Sequence, residues 1–142
     1  MSFLAQYSAL LARVESAVDQ ALEQEVAEAV KDIMEEQLGH VVYSYEASAM
    51  AMASRRVDSG GLGDRQYMAA RVEGEHELVV ENVAPFQDGQ SHGDALSDVV
   101  EKGLDGYRQP GPRPFVAGTQ EEAVSSGRAL NALMSGLTKQ GL

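Results

Sequence analysis

Residues 3–37 carry a single apolar stripe that repeats with the period of a straight α-helix. The apolar positions recur every three or four residues, about 3.6 residues apart on average. They are Leu4, Tyr7, Leu11, Val14, Val18, Leu22, Val26, Val30 and Ile33. No glycine or proline interrupts the run, and Leu38-Gly39 is typical of a helix stop. The pattern predicts one long N-terminal helix.

A helix of this length does not fit inside a compact domain of this size. It would be roughly 50 Å long, whereas the expected radius of gyration of such a domain is only about 14 Å. Part of the apolar stripe is therefore expected to project beyond its own domain. An unmatched stripe of this kind favours contact with a second copy of the chain or with a different partner.

The acidic charge of the chain is concentrated on this helix. The formal net charge is -11, and residues 1–38 hold eight carboxylates against Arg13 and Lys31. Such a balance argues against wrapping nucleic acid, because phosphate binding requires clustered lysine and arginine. Two interpretations stay open: a solvated helix face, or a surface that repels DNA or meets a basic partner.

The composition excludes several classes of protein. The chain has no cysteine, so disulfide frameworks and thiolate metal sites are excluded. No apolar run approaches the roughly 20 residues that cross a bilayer. A basic segment followed by an apolar one, typical of a signal peptide, is missing at the N-terminus. We therefore expect a protein without a membrane partner that stays in the cytosol where it was made.

Two segments after the long helix predict a small antiparallel sheet. Residues 41–46 are β-branched and aromatic, which is typical of a strand, and residues 66–84 have the pattern of a β-hairpin. A three-residue loop at Glu73-Gly74-Glu75 keeps one face apolar and sets Arg71 opposite Glu77. The same register sets Met68, Ala70 and Val72 opposite Val80, Leu78 and His76.

The C-terminal half predicts two further helices. A short helix is expected from Asp94 to Lys102, and residues 105–114 are expected to be extended because three prolines fix the backbone. The last helix is predicted to start with a capping box at residues 119–122 and to reach about Thr138. Its inward side chains are predicted to be Val124, Leu130, Leu133, Met134 and Leu137. The sequence thus predicts one α+β domain over residues 1–142, with the long helix packed on the sheet.

No pattern of catalytic, metal-binding or cofactor-binding residues emerges. His40, His76 and His92 lack the paired spacing of zinc ligands, so the proximity of His92 and Asp94 is better explained by a polar loop. The glycines at positions 60, 61 and 63 lack the strand, helix and Gly-Lys-Ser/Thr ending of a phosphate loop. No Gly-x-Ser-x-Gly elbow is present. We therefore predict a protein that is not an enzyme and holds no metal or cofactor.

Four segments together resemble the small minor tail or tail-completion proteins that join head to tail in long-tailed bacteriophages. The first spans residues 43–68 and contains YSYEA, Arg55-Arg56, Gly60-Gly61-Leu62 and Asp64. The others are the strand end at residues 81–84 (ENVA), residues 96–103 (LSDVVEKG), and residues 111–115 (GPRPF) ahead of a terminal helix. One departure is the stretch ASAMAMAS at residues 47–54, where the family often has a proline or threonine and a bulky aromatic residue.

The resemblance implies a structural role in the virion. Such proteins are expected to form a ring, usually sixfold, that joins the head connector or stopper to the tail tube and continues the DNA channel without sequence-specific binding. They are made in the host cytoplasm and end in the neck or at the tail terminator position. The residues expected to contact neighbouring copies or partners are Arg55, Arg56, Gly60, Gly61, Leu62, Asp64, Arg113 and Phe115.

Several alternatives stay open at the level of sequence. Phe115 is also explained as a cap on the core, and Arg55-Arg56 as ordinary solvent-exposed charge. A cytosolic tail-assembly chaperone or adaptor would use the same amphipathic helix to hold a client. A third reading is a small hydrolase that uses His76, Glu77, His92 and Asp94.

Overall fold

The computed structural model describes residues 2–42, 61–85, 96–102 and 114–142. It combines a long N-terminal helix, a two-stranded antiparallel sheet and helices in the C-terminal half, so the α+β prediction is confirmed. The polar segment at residues 86–93, which contains His92, lies outside the described residues. So do the stretch at 47–54 and all but Pro114 of the extended segment at 105–114.

The N-terminal helix is continuous from residue 3 to residue 42 and contains two π-helical turns. Helix α1 spans Phe3–Ala21, a first π-helical turn spans Leu22–Val26, helix α2 spans Ala27–Gln37, and a second π-helical turn spans Leu38–Val42. The predicted long helix is confirmed. The predicted stop at Leu38-Gly39 is wrong because the chain remains helical there. Residues 41 and 42 of the predicted strand are therefore helical, and residues 43–46 lie outside the described part.

The first π-helical turn changes which side chains face the interior. A uniform period of 3.6 predicts burial of Val18 and Leu22, but these side chains are half-buried, and Ala17 and Ala21 are buried instead. A π-helical turn holds one extra residue, so it rotates the preceding stripe relative to the one that follows. From the last residue of the turn onward, the prediction and the structure agree at two buried positions, Val26 and Ile33.

The predicted β-hairpin is confirmed, but its register differs from the prediction. A 3₁₀ turn at Arg65–Tyr67 leads into strand β1 (Met68–Glu73), which pairs with β2 (Glu77–Asn82). The three-residue loop is Gly74-Glu75-His76 rather than Glu73-Gly74-Glu75. Consequently Arg71 lies opposite Val79 rather than Glu77. The same register pairs Met68 with Asn82, Ala70 with Val80, and Val72 with Leu78, among others.

The hairpin loop is fixed by a contact with the long helix. His76 has a φ angle of 62°, a left-handed conformation that a residue other than glycine rarely adopts. Its Nδ1 lies 2.7 Å from Oδ1 of Asp19 in α1. Because this contact joins residues far apart in sequence, no local turn rule could predict the loop. The register error of two residues leaves every strand side chain on its predicted face.

The core lies where α2, the sheet and the C-terminal helices meet. Its buried members are Met34, Leu38, Leu62, Met68, Ala84, Val100 and Phe115. The buried side chain of Asn82 is satisfied inside this core, because its Nδ2 donates to the Leu62 carbonyl oxygen at 2.7 Å and its Oδ1 accepts from the Ala84 N–H. The loop before the sheet is thereby tied to the end of β2.

Three helices complete the described structure: α3 (Leu96–Lys102), α4 (Phe115–Ser125) and α5 (Arg128–Lys139). The predicted short helix is confirmed over Leu96–Lys102. The single terminal helix is wrong, because the chain breaks at Gly127, whose φ of 75° is left-handed. Three of the side chains predicted to face inward are exposed as a consequence: Val124, Leu130 and Met134.

The predicted capping box at residues 119–122 is also wrong. Helix α4 begins at Phe115, so Thr119 lies within it, and its hydroxyl donates to the Phe115 carbonyl oxygen at 2.7 Å. The cap comes from a different element. Glu101 of α3 accepts hydrogen bonds from the backbone N–H groups of Val116 at 2.8 Å and Ala117 at 3.1 Å.

Helix α5 runs antiparallel to the long helix. At its start Arg128 donates to both carboxylate oxygens of Glu36, at 2.6 and 3.0 Å. In its last turn Gly136 lies against Ala21, and just beyond its end Gly141 lies near the guanidinium of Arg13. The long helix continues past this point toward its N-terminus, where its side chains are exposed.

Candidate assembly surface

The first fifteen described residues form a helical arm, which we define as residues 2–16. Every one of them is exposed, and burial begins at Ala17. The arm is helical from Phe3 and is capped by Ser2, whose hydroxyl accepts from the Ala5 N–H at 3.2 Å. The predicted projection of the long helix beyond the core is therefore observed.

The arm exposes large apolar side chains. Phe3 is 77% exposed and stacks on Tyr7, with 6.4 Å between the ring centroids. The exposed large apolar residues of the arm are Phe3, Leu4, Tyr7, Leu10, Leu11 and Val14. Contiguous apolar exposure on this scale marks a contact site rather than ordinary surface.

The arm differs in charge from the remainder of the chain. Arg13 is the sole charged side chain in residues 2–14, and the first carboxylate is Glu15. The net negative charge therefore belongs to the rest of the molecule. The arm lacks the lysine- and arginine-rich polar face of helices that bind anionic membrane surfaces. Within the described residues no helix combines the length and apolar character needed to span a bilayer.

Two smaller apolar surfaces lie on the body. Leu130 and Met134 are exposed side by side on α5. A groove of about 340 Å³ lies between α2, β2 and α4, and its wall includes the exposed side chains of Val116 and Val124. Either surface could contribute to contacts, but neither matches the arm in the number of exposed large side chains.

The acidic face of the long helix is organised by one arginine. Arg65 donates to Asp32 at 2.6 Å, Glu35 at 3.0 Å and Glu28 at 2.6 Å, and also to the Glu28 carbonyl oxygen at 3.1 Å. Partial burial opposes its charge, yet hydrogen bonds to these carboxylates outweigh it and raise the pKa of Arg65. Lys31 lies 3.6 Å from Glu28 as well. The three carboxylates still remain an acidic surface, because two cations do not balance three negative charges.

The predicted contact residues fall into two groups. Leu62 and Phe115 lie in the core, 5% and 0% exposed, so both side chains pack within their own chain. Gly61 is buried, and Asp64 caps the 3₁₀ turn by accepting from the Gln66 N–H at 3.2 Å. The remaining predicted contact residues, Arg55, Arg56, Gly60 and Arg113, lie outside the described residues. A partner contact at any of them stays a prediction.

The histidines do not form a reaction centre in the described part. Exposed His76 contacts Asp19, and this hydrogen bond raises the pKa of His76 above its ordinary value. Of the other members of the hydrolase alternative, Glu77 is exposed at the start of β2, and His92 and Asp94 lie outside the described residues. Among the residues that the structure describes, no group of acidic or histidine side chains has the arrangement of a metal site.

Sequence periodicity identified only part of the arm surface. The predicted stripe includes Leu4, Tyr7, Leu11 and Val14 but omits Phe3 and Leu10, which are equally exposed. Phe3 and Leu10 belong to a second row that crosses the first at Tyr7 and Val14. The signal that could have revealed both rows is the combination of six large apolar residues with a single charge in residues 2–14.

Comparison with known proteins gives the family but no closer relative. No curated protein and no solved structure matches the chain. The sequence profile of the YomN family matches residues 6–139, which is nearly the whole chain and includes most of the arm. The chain therefore belongs to the YomN family, a phage-derived family of prophage proteins.

Proposed function

We propose that this protein is a structural component of the phage neck or tail end. In this role it forms a ring, sixfold in the simplest case, that joins the head connector to the tail tube and continues the DNA channel. The observation that carries the proposal is the exposed apolar arm, on a chain that belongs to a phage-derived family. A contiguous apolar surface of this kind marks a site at which another molecule binds.

The charge of the molecule is compatible with a DNA channel. The long helix presents Glu28, Asp32 and Glu35 around Arg65, and a groove beside α5 is lined by further acidic side chains. An acidic wall does not retain DNA, because binding to phosphates depends on lysine and arginine. A ring that lines a channel with this face would let DNA pass without holding it.

A tail-assembly chaperone is the second candidate, and the arm favours it as well. A chaperone would bind a client protein through the apolar side chains during assembly. It would dissociate from the client once assembly is complete. The two functions differ in where the protein is found after assembly. A neck protein remains in the finished virion, whereas a chaperone is absent from it.

The experiment combines mass spectrometry of purified virions with negative-stain electron microscopy of the protein mixed with tail tubes. The expected result is the protein in virions, and rings or tubes newly capped at one end. Absence from virions, together with tubes that stay uncapped, would contradict the neck function and support the chaperone. A basic channel lining in the assembled ring would contradict the argument from charge.

A further inference from the structure

We propose that the arm pairs with the arm of a second copy in an antiparallel helix pair. This inference rests on the arm's use in assembly, but not on the neck as its location. It commits to one partner, another copy of this chain, and to one orientation.

The spacing of one row of apolar residues continues into a helix contact within the chain. Phe3, Tyr7, Leu10 and Val14 are separated by four, three and four residues, and the row continues to the buried Ala17 and Ala21. At Ala21 the row is covered by α5 through Gly136. Alternation of three and four residues is the spacing of a helix–helix seam. The seam is therefore covered by α5 at Ala17 and Ala21, and it is open from Phe3 to Val14.

The open part of the seam, from Phe3 to Val14, is complementary in side-chain size to the same part of a second copy when the two helices run antiparallel. With Tyr7 opposite Leu10 of the second copy, Phe3 falls opposite Val14, so each aromatic ring meets a smaller aliphatic side chain. A parallel pair would instead stack like on like at each layer. Alternation of large and small side chains across a seam gives the denser packing.

The flanking residues also suit the antiparallel arrangement. In this register Leu4 lies next to Leu11 of the second copy on one flank, which covers the two remaining apolar side chains. On the other flank Gln6 lies next to Arg13 of the second copy, a pair without like charges. The antiparallel arrangement therefore covers all of the exposed large apolar residues of the arm.

The charge of the two bodies favours the same orientation. In a parallel pair two strongly acidic bodies would lie side by side at one end. In an antiparallel pair they lie at opposite ends of an arm of about 22 Å, which exceeds the Debye length of roughly 8 Å at physiological salt. Electrostatic repulsion between the bodies is therefore largely screened only in the antiparallel pair.

The area that this contact removes from water is sufficient for a specific pair. Burial of a large apolar side chain removes about 80 Å². Six such side chains in each copy remove about 1,000 Å² over the pair, which is the lower end of specific protein interfaces. We therefore expect a reversible dimer rather than a permanent one. This isologous contact leaves the remaining surface of each copy for a ring.

The first test is the oligomeric state of the purified full chain by sedimentation equilibrium. We expect a concentration-dependent monomer–dimer equilibrium, and Leu10→Gln should raise the dissociation constant at least about tenfold. The matched control is Leu130→Gln, which removes a leucine of similar exposure (60% against 54%) from α5. A monomer at every concentration up to about 1 mM, or equal effects of both variants, would overturn the proposal.

The second test determines the orientation of the two arms with introduced cysteines. The chain has no cysteine of its own, so any disulfide must form between the introduced residues. Phe3→Cys and Val14→Cys leave Tyr7 and Leu10 in place. A mixture of the two variants should form a disulfide between unlike chains. Phe3→Cys alone should not, because its two thiols would lie about 16 Å apart along the pair. Efficient crosslinking of Phe3→Cys alone would overturn the antiparallel arrangement.

Two further outcomes would show that a molecule other than a second copy binds the arm. Sedimentation of a monomeric protein with phosphatidylcholine vesicles, lost in Leu10→Gln, would identify a lipid surface. Binding of a monomer to purified tail tubes, lost in the same variant, would identify a virion protein. Either outcome would overturn arm pairing, and the second would leave the proposed neck function intact.

Discussion

Gly136 of α5 lies directly against Ala21 of the long helix. A Cβ added at Gly136 would come within 2.6 Å of the Ala21 Cβ and 2.7 Å of a carboxylate oxygen of Glu25. The Glu25 side chain is itself only 14% exposed and lies 3.3 Å from the Lys139 ammonium group. The contact therefore has room for two small residues and no more, and it determines how closely α5 approaches the first π-helical turn.

Gly136→Ala is expected to lower the free energy of unfolding by about 1–3 kcal/mol, the usual cost of overpacking. This loss opposes the gain of up to about 1 kcal/mol that alanine brings to a helix interior. Urea denaturation followed by circular dichroism measures the difference. Gly39→Ala is the matched control, because within the described residues nothing except the helix's own backbone lies within 4 Å of its added Cβ. Equal effects of the two substitutions would contradict the close contact.

Arg65→Gln is expected to lower the free energy of unfolding by roughly 1–2 kcal/mol. The substitution leaves Glu28, Asp32 and Glu35 without the cation that joins them to the start of the sheet. The loss should be larger at low salt and should diminish when the carboxylates become protonated in acid. Chemical denaturation at two salt concentrations tests both statements.

Arg71→Gln is the control for this network. Arg71 also pairs with two carboxylates, Glu73 and Glu81, but both lie on the exposed face of the hairpin to which Arg71 belongs. Its removal should change stability little, because exposed pairs within one element contribute weakly. A loss equal to that of Arg65→Gln would indicate that bridging two elements brings no additional stability.

Glu101→Ala is expected to lower the free energy of unfolding by about 1 kcal/mol, the typical cost of a lost helix cap. The carboxylate accepts from two N–H groups at the start of α4, where the helix dipole also favours negative charge. Glu121→Ala, on the exposed face of the same helix, should cost less. Thermal unfolding of both variants distinguishes the cap from a general effect of charge.

The sequence predicted the elements better than their relative placement. The period of 3.6 and the absence of Gly and Pro were enough for the long helix, because helix formation over residues 3–37 depends on local pattern. The shift of the buried stripe to Ala17 and Ala21 was not predictable, because it depends on the π-helical turn and on α5 packing at Gly136. The break at Gly127 similarly depends on one left-handed residue that the pattern could not single out.

The candidate site shows the same division. The length of the helix predicted that an apolar surface would project, and the arm confirms it. Two of the residues predicted to contact partners, Leu62 and Phe115, lie in the core, which for Phe115 was the alternative left open by the sequence. Partner contact at the predicted residues stays a prediction. Loop residues of a small domain often complete its core, because the regular elements alone do not enclose it. Burial of this kind depends on tertiary packing and produces no periodic pattern of apolar residues in the sequence.

The contact between His76 and Asp19 should make stability depend on pH. The hydrogen bond and the charge of Asp19 raise the pKa of His76 from its ordinary value of 6.5. A raised pKa in the folded state means that the contact stabilises fully below pH 6.5 and that this contribution is lost as pH rises through the folded-state pKa. The difference in Tm between the wild type and His76→Asn should therefore be larger near pH 5.5 than near pH 9.

Asparagine is the appropriate substitution because it tolerates the left-handed backbone at this position, so the variant removes the imidazole without adding strain. An NMR titration supplies the direct measurement: the pKa of His76 should lie above 6.5, and Asp19→Asn should lower it. If the Tm difference is the same at both pH values, or if Asp19→Asn leaves the titration unchanged, the hairpin loop is held by its backbone alone. In that case the imidazole–carboxylate contact does not explain the observed register.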